Sequence, residues 1–247
     1  MNRSLNVIKA IFKREFLSYF NSSIAYVVLI IFIVMQGFFT FYVSGLYESN
    51  QADLSPFFSW HPWIFLFLVP SVTMKLFSDE KRTGTIELLM TLPVTAAEIV
   101  TAKFLAAWLF TSISIVLTFP VVLTVMYLGN PDMGAVISGY FGSIILAGAF
   151  TSIGIFASSI TKSQVISFLT AVCICIFLIL AGHTPVTEVF SSFSPDWIVN
   201  LVSEMSFLTH FKAMTKGVLD FRDIFYYFSV IIFMLTANTV IINTGRN

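Results

Sequence analysis

Between Phe77 and Glu98 the chain reads FSDEKRTGTIELLMTLPVTAAE, a charged stretch set between two long apolar runs. Asp79, Glu80, Lys81, Arg82 and Glu87 place both signs of charge close together, which suits ion pairing and hydrogen bonding across a contact surface. Covalent chemistry lacks its parts: no Ser-His, paired-Asp or His-Glu-x-x-His arrangement falls at membrane depth, and no Gly-rich phosphate loop ends in Lys-Ser or Lys-Thr. His61, His183 and His210 are scattered and do not form the convergent three- or four-ligand cluster of a metal site. Cys173 and Cys175, two apart on a helix, face different directions and read as small apolar residues.

The stretch itself predicts a short amphipathic helix over 83–93. Thr83, Gly84 and Thr85 offer capping groups, and Glu87 falls in the first turn, where a carboxylate complements the helix dipole. Ile86, Leu89 and Met90 form one apolar stripe, with Leu88 and Leu92 beside it, and Pro93 stops the helix. Ser78 to Arg82 read as solvated, Lys75 as a snorkelling side chain, and Glu98 and Lys103 as the start of the next apolar run. So short a helix is marginal alone. Either the lipid headgroup layer or a groove on a soluble protein would serve as its partner surface.

The elements around it are those of a membrane domain. Hydrophobic residues make up 57% of the 247 and charged ones 11%, with a mean hydropathy of +0.90, too little polar surface for a soluble globule. Six runs approach the roughly 20 residues a bilayer-spanning helix needs: about 24–46, 60–77, 99–127, 135–160, 164–182 and 223–243. The third carries Pro120 near its far end, where a break is expected; the fourth, rich in Gly, Ala and Ser, suits close helix packing. No period-two barrel pattern and no basic patch for nucleic acid appear.

Residues 2–20 predict an interfacial helix along the inner leaflet, with Leu5, Ile8, Phe12, Phe16 and Tyr19 on one face, Arg3 and Arg14 opposite, and Lys9 and Lys13 on the apolar edge. With six spans both termini share a side, which then holds Arg3, Lys9, Lys13, Arg14, Lys75, Lys81, Arg82, Lys103, Lys162 and Arg246, against Lys212, Lys216 and Arg222 opposite. The positive-inside rule makes the first side cytoplasmic. The external segment 183–222 is long and apolar, with Phe190, Phe193, Phe207 and Phe211, and fits an interfacial hairpin anchored by Trp197. Gln36, Thr40, Ser71, Thr73, Ser112, Thr118 and Asn238 are candidate path-lining groups for an amphipathic cargo.

Asp79 to Val94, DEKRTGTIELLMTLPV, resembles the coupling-helix signature of ABC-2 type transporter permeases, and Ser206 to Phe228 is similar to the stretch leading into that family's last span. The order of parts matches along essentially the whole chain, nearest to the gliding-motility-type permease subfamily. The resemblance implies an all-α membrane fold of the ABC-2, type V exporter-like kind, with short re-entrant helices in the external segment. It implies a bacterial inner-membrane export permease, paired with a second permease copy or relative and with two cytoplasmic ABC ATPases. ATP and Mg would then be used on the ATPase chains, with no cofactor held here. Asp79, Glu80, Lys81, Arg82 and Glu87 would make polar contacts to the ATPase, and Ile86, Leu89 and Met90 the apolar grip. A secondary transporter or channel without an ATPase is the alternative; it would be expected to carry ionisable groups within its spans.

Overall fold

A computed structural model describes residues 2–48, 52–91, 93–182, 186, 197 and 202–244, with the side chains of Asn2, Leu88, Leu89 and Met90 outside that description. The regular structure among the described residues is helical. Helix α1 (Asn2–Phe20) is followed by α2 (Ser23–Phe38), which passes into one π-helical stretch, Phe39–Val43. Then come α3 (Ser55–Ser59), α4 (His61–Thr73), α5 (Lys75–Thr83), α6 (Thr85–Thr91), α7 (Ala96–Val116) and α8 (Phe119–Leu128). The last are α9 (Met133–Ile160), α10 (Gln164–Leu180), α11 (Phe207–Thr215) and α12 (Phe221–Thr244).

Among the described residues, four stretches are long and apolar enough to cross a membrane: Ser23–Val43, Ala96–Leu128, Met133–Ile160 and Phe221–Thr244, with α10 a shorter apolar helix. The protein is thus an all-α integral membrane protein with several apolar spans. Helix α9 is its axis: 83% of its apolar window is buried within the chain, against 22%, 39% and 17% for the other three. Helices α4, α7, α10, α11 and α12 pack around it. Lipid offers no hydrophobic drive between helices, so a central helix rich in Gly, Ala and Ser is the one its neighbours can approach closely.

The expected break near Pro120 is present. Proline has no N–H for the carbonyl of Val116, and α7 ends at Val116, with Pro120 in the first turn of α8. Helix α7 starts on a capping box, in which the Thr95 hydroxyl accepts from the Glu98 N–H (3.3 Å) and Glu98 Oε2 accepts from the Thr95 N–H (2.8 Å).

Two expectations change. The 60–77 run does not end in water: Met74 keeps a right-handed helical conformation (φ −54°, ψ −31°), so α4 leads almost without interruption into α5. The charged stretch is therefore helical to Thr83, and Ser78, expected in solvent, is buried. Among the path-lining candidates, Gln36, Thr40, Thr73, Thr118 and Asn238 are buried inside the chain, and Ser71 and Ser112 are half-buried.

In the segment 183–222, residues 183–185, 187–196 and 198–201, with His183, Phe190 and Phe193, lie outside the described residues. Trp197 is exposed. Helix α11 is packed inward through Phe207, Phe211 and Met214. His210 bridges it to α12, with Nδ1 2.7 Å from Asp223 Oδ1 and Nε2 2.9 Å from the Glu204 carbonyl oxygen. Cys175 is buried and Cys173 exposed, in keeping with opposite facings on α10.

Candidate functional site

Glu80 of the charged segment meets a buried cation, Lys103 of α7. Lys103 stands two turns into α7 and is 1% exposed. A buried ammonium needs partners for its charge and its three N–H groups. Its Nζ donates to Glu80 Oε1 on α5 (2.7 Å), to the Leu76 carbonyl (2.9 Å) and to Glu15 Oε1 on α1 (3.4 Å). It also lies 5.0 Å from the centre of the Phe77 ring, within cation–π range. Glu15 in turn accepts from Arg14 Nη2 at 2.6 Å. The three helices α1, α5 and α7 are thereby joined through one side chain.

Burial pushes the Glu15 carboxyl toward a higher pKa, but the Lys103 ammonium and Arg14 together outweigh it and hold the pKa below the ordinary glutamate value. A carboxylate with a depressed folded pKa gives stability that is full above its unfolded pKa and is lost as pH falls through the folded one. Thermal denaturation of the purified chain in detergent should therefore show a loss of stability below the ordinary carboxylate range. Glu15→Gln should flatten that part of the pH profile, and an unchanged profile would remove Glu15 from the clamp.

Two further contacts tie α5 to the bundle, and an ion pair within α5 supports one of them. Asp79 Oδ1 accepts from Arg82 Nη2 (2.8 Å) and from Gln164 Nε2 at the start of α10 (3.0 Å). Lys81 Nζ donates to the Ser159 carbonyl near the end of α9. Burial, then repulsion from Lys162, lowers the Lys81 pKa. Between α1, α5 and α7 a polar cavity of about 260 Å³ remains, lined by Glu15, Lys75, Asp79, Glu80 and Lys103 among others.

Helix α5 ends at Gly84, whose φ of +74° only glycine adopts without strain. The Thr83 and Thr85 hydroxyls face each other across this corner at 3.0 Å, and the Glu87 N–H donates to the Gly84 carbonyl at 3.2 Å as α6 begins. Around this corner Arg82, Thr83, Gly84, Thr85, Glu87, Thr91 and Pro93 are exposed, while Ile86 is half-buried against the core. The side chains of Leu88, Leu89 and Met90, expected to form the apolar grip with Ile86, lie outside the described residues. The predicted site thus divides: Glu80 and Lys81 face inward, whereas Arg82 and Glu87 are offered outward.

The N-terminal helix leans on the same bundle. Phe12 stacks on Phe16 (5.6 Å between ring centres), Phe16 meets Phe20 edge-on (5.1 Å), and Tyr19 stacks on Phe110 of α7 (4.8 Å). Lys9, Lys13 and Arg14 point to the outside. Lys75, expected to snorkel, reaches Ser22 Oγ at 3.4 Å and lies 5.8 Å from the Tyr19 ring centre.

Sequence reasoning did not find Glu15, Gln164 or the central part played by Lys103. One signal was present: a lysine inside an apolar run calls for a carboxylate within reach. Among the described residues, no group of three His, Cys, Asp or Glu side chains could hold a metal ion. Comparison with curated proteins gave no match. Residues 9–243 match the family described as ABC-2 family transporter protein. That match covers nearly the whole chain, including both the clamp and the exposed helix, and the chain belongs to the ABC-2 transporter family as a non-catalytic membrane permease component.

Proposed function

We propose that this chain forms, with a second permease copy or relative, the membrane path of an ATP-driven exporter, and that two separate cytoplasmic ABC ATPases dock on α6. In this reading six spans cross the bacterial inner membrane, with both termini cytoplasmic, α1 lies along the inner leaflet, and ATP and Mg act on the ATPase chains. The observation that carries it is the division at Gly84: Arg82 at the end of α5 and Thr85 and Glu87 of α6 are presented outward, while the rest of α5 is held to α1, α7, α9 and α10. A push on α6 then reaches four helices through one short, braced segment, as rigid-body coupling between a docking element and a bundle requires. Arg82 and Glu87 serve as polar contacts, and Ile86, Leu89 and Met90 supply the apolar grip. Gliding-motility-type membership follows from the sequence resemblance alone.

The test is co-purification of ATPase chains with the tagged protein in mild detergent, beside a Glu87→Arg plus Leu89→Asp variant. Loss of one charged contact and one apolar anchor should weaken docking by at least about tenfold, since anchors of this kind contribute more than about 1.4 kcal/mol. Full retention of the ATPase by a variant that still inserts and folds would reject α6 as the docking helix.

A further inference from the structure

We propose that the wedge between α1 and α7 binds an anionic phospholipid, with the acyl chain in the wedge and the headgroup at Lys9. The wedge has a volume of about 720 Å³ and is walled mainly by Ile8 and Phe12 of α1 and Leu105, Trp108 and Leu109 of α7. Its polar wall atoms are already engaged within the protein: the Trp108 Nε1–H donates to the Ile144 carbonyl (2.8 Å), and the Ser112 hydroxyl donates to the Trp108 carbonyl (2.7 Å). What the walls offer an occupant is therefore hydrocarbon. Lys9, at the rim, is exposed and makes no ion pair among the described residues, and Lys13 stands one helical turn further on, also exposed.

Charge decides the occupant. A second copy seated groove to groove would bring the same lysines against these, since a twofold contact repeats one surface on both sides. A phospholipid with a net negative headgroup supplies the missing counter-charge and the hydrocarbon together, and basic clusters beside membrane helices select such lipids. The proposal concerns the membrane-facing side of α1, and it stands whether or not an ATPase docks on α6.

Trp108 is a built-in reporter. The full chain is reconstituted into phosphatidylcholine vesicles containing a minority of phosphatidylglycerol, with bromine on the acyl chains of one lipid or the other at equal mole fraction. Quenching of Trp108 is the difference between the parent chain and Trp108→Phe. Brominated phosphatidylglycerol should quench more strongly than brominated phosphatidylcholine. Lys9→Gln and Lys13→Gln should each reduce that preference by about fivefold, the factor equivalent to one lysine near an anionic surface, and Lys9→Arg should keep it. Equal quenching by the two lipids, or a preference unaltered in Lys9→Gln, would overturn the assignment. So would a Trp108 shielded from both lipids in a concentration-dependent dimer, which would assign the wedge to a second copy.

Discussion

Lys103→Met is expected to destabilise the protein by about 3–5 kcal/mol, the range seen when one partner is removed from a buried ion pair. Methionine is one atom shorter and keeps most of the unbranched apolar stem, so packing changes little. The ammonium goes, and the Glu15 and Glu80 carboxylates, whose side chains are 13% and 20% exposed, are left facing the same enclosed space without a cation. The Leu76 carbonyl loses its side-chain donor as well. Denaturation of the detergent-purified protein measures the effect. Adding Glu80→Gln to the variant should return part of the loss, because one of the stranded charges is then gone; groups in one network are coupled and do not add independently. A change within about 0.5 kcal/mol, typical of surface substitutions, would mean that the carboxylates are hydrated and that α1, α5 and α7 are not held together here. In the ATPase-coupled reading the same variant would also lower turnover more than docking, since α6 itself is untouched.

The helices were largely legible in the sequence because lipid makes one simple demand: every backbone polar group must be satisfied within the segment. The expected runs 135–160 and 223–243 correspond closely to Met133–Ile160 and Phe221–Thr244, and 99–127 to Ala96–Leu128 with its break before Pro120. The inward faces were not legible. A helix apolar all round carries no periodicity to say which side meets protein and which meets lipid, so Gln36, Thr40 and Asn238 were candidates for a path although they are buried in the chain. The charged stretch failed for a related reason. Asp79 to Arg82 have the composition of a solvated turn, and only the fold brings to them Lys103, 23 residues beyond Glu80, and Glu15, 88 residues before Lys103. Helix α6, with Glu87 in its first turn and Pro93 beyond it, was local in sequence: a helix was expected over 83–93, and Thr85–Thr91 is helical, with Thr83 belonging instead to the end of α5.

Gly154→Ala should destabilise the bundle by about 1–3 kcal/mol, the usual penalty for overpacking a filled interior, whereas Gly37→Ala should not. A Cβ built on Gly154 falls 2.1 Å from Thr73 Oγ1 and 3.0 Å from Thr73 Cβ, while one on Gly37 meets nothing within 4 Å. Thr73 cannot simply turn aside. Its hydroxyl donates to the Val69 carbonyl at 2.9 Å, and rotation about χ1 leaves its Cβ in place, still in contact with the added carbon. Helices α4 and α9 must therefore separate. Thr73→Ala in the same chain removes the closest atom and should recover much of the loss, a pairwise rescue that a general packing defect would not give. The separation also carries to the charged end: Thr73 is the last residue of α4, and only Met74 stands between it and α5. A displaced α5 weakens the contacts of Glu80 with Lys103 and of Lys81 with the Ser159 carbonyl, whereas the Glu15 contribution, set by Lys103 and Arg14, is left in place, so the acid-pH loss of Gly154→Ala should match that of the parent. Equal stability of Gly154→Ala and Gly37→Ala would show that α4 and α9 are not in close contact at Thr73, and the route from α6 into the bundle would then have to run through the contacts of α5 itself with α1, α7, α9 and α10.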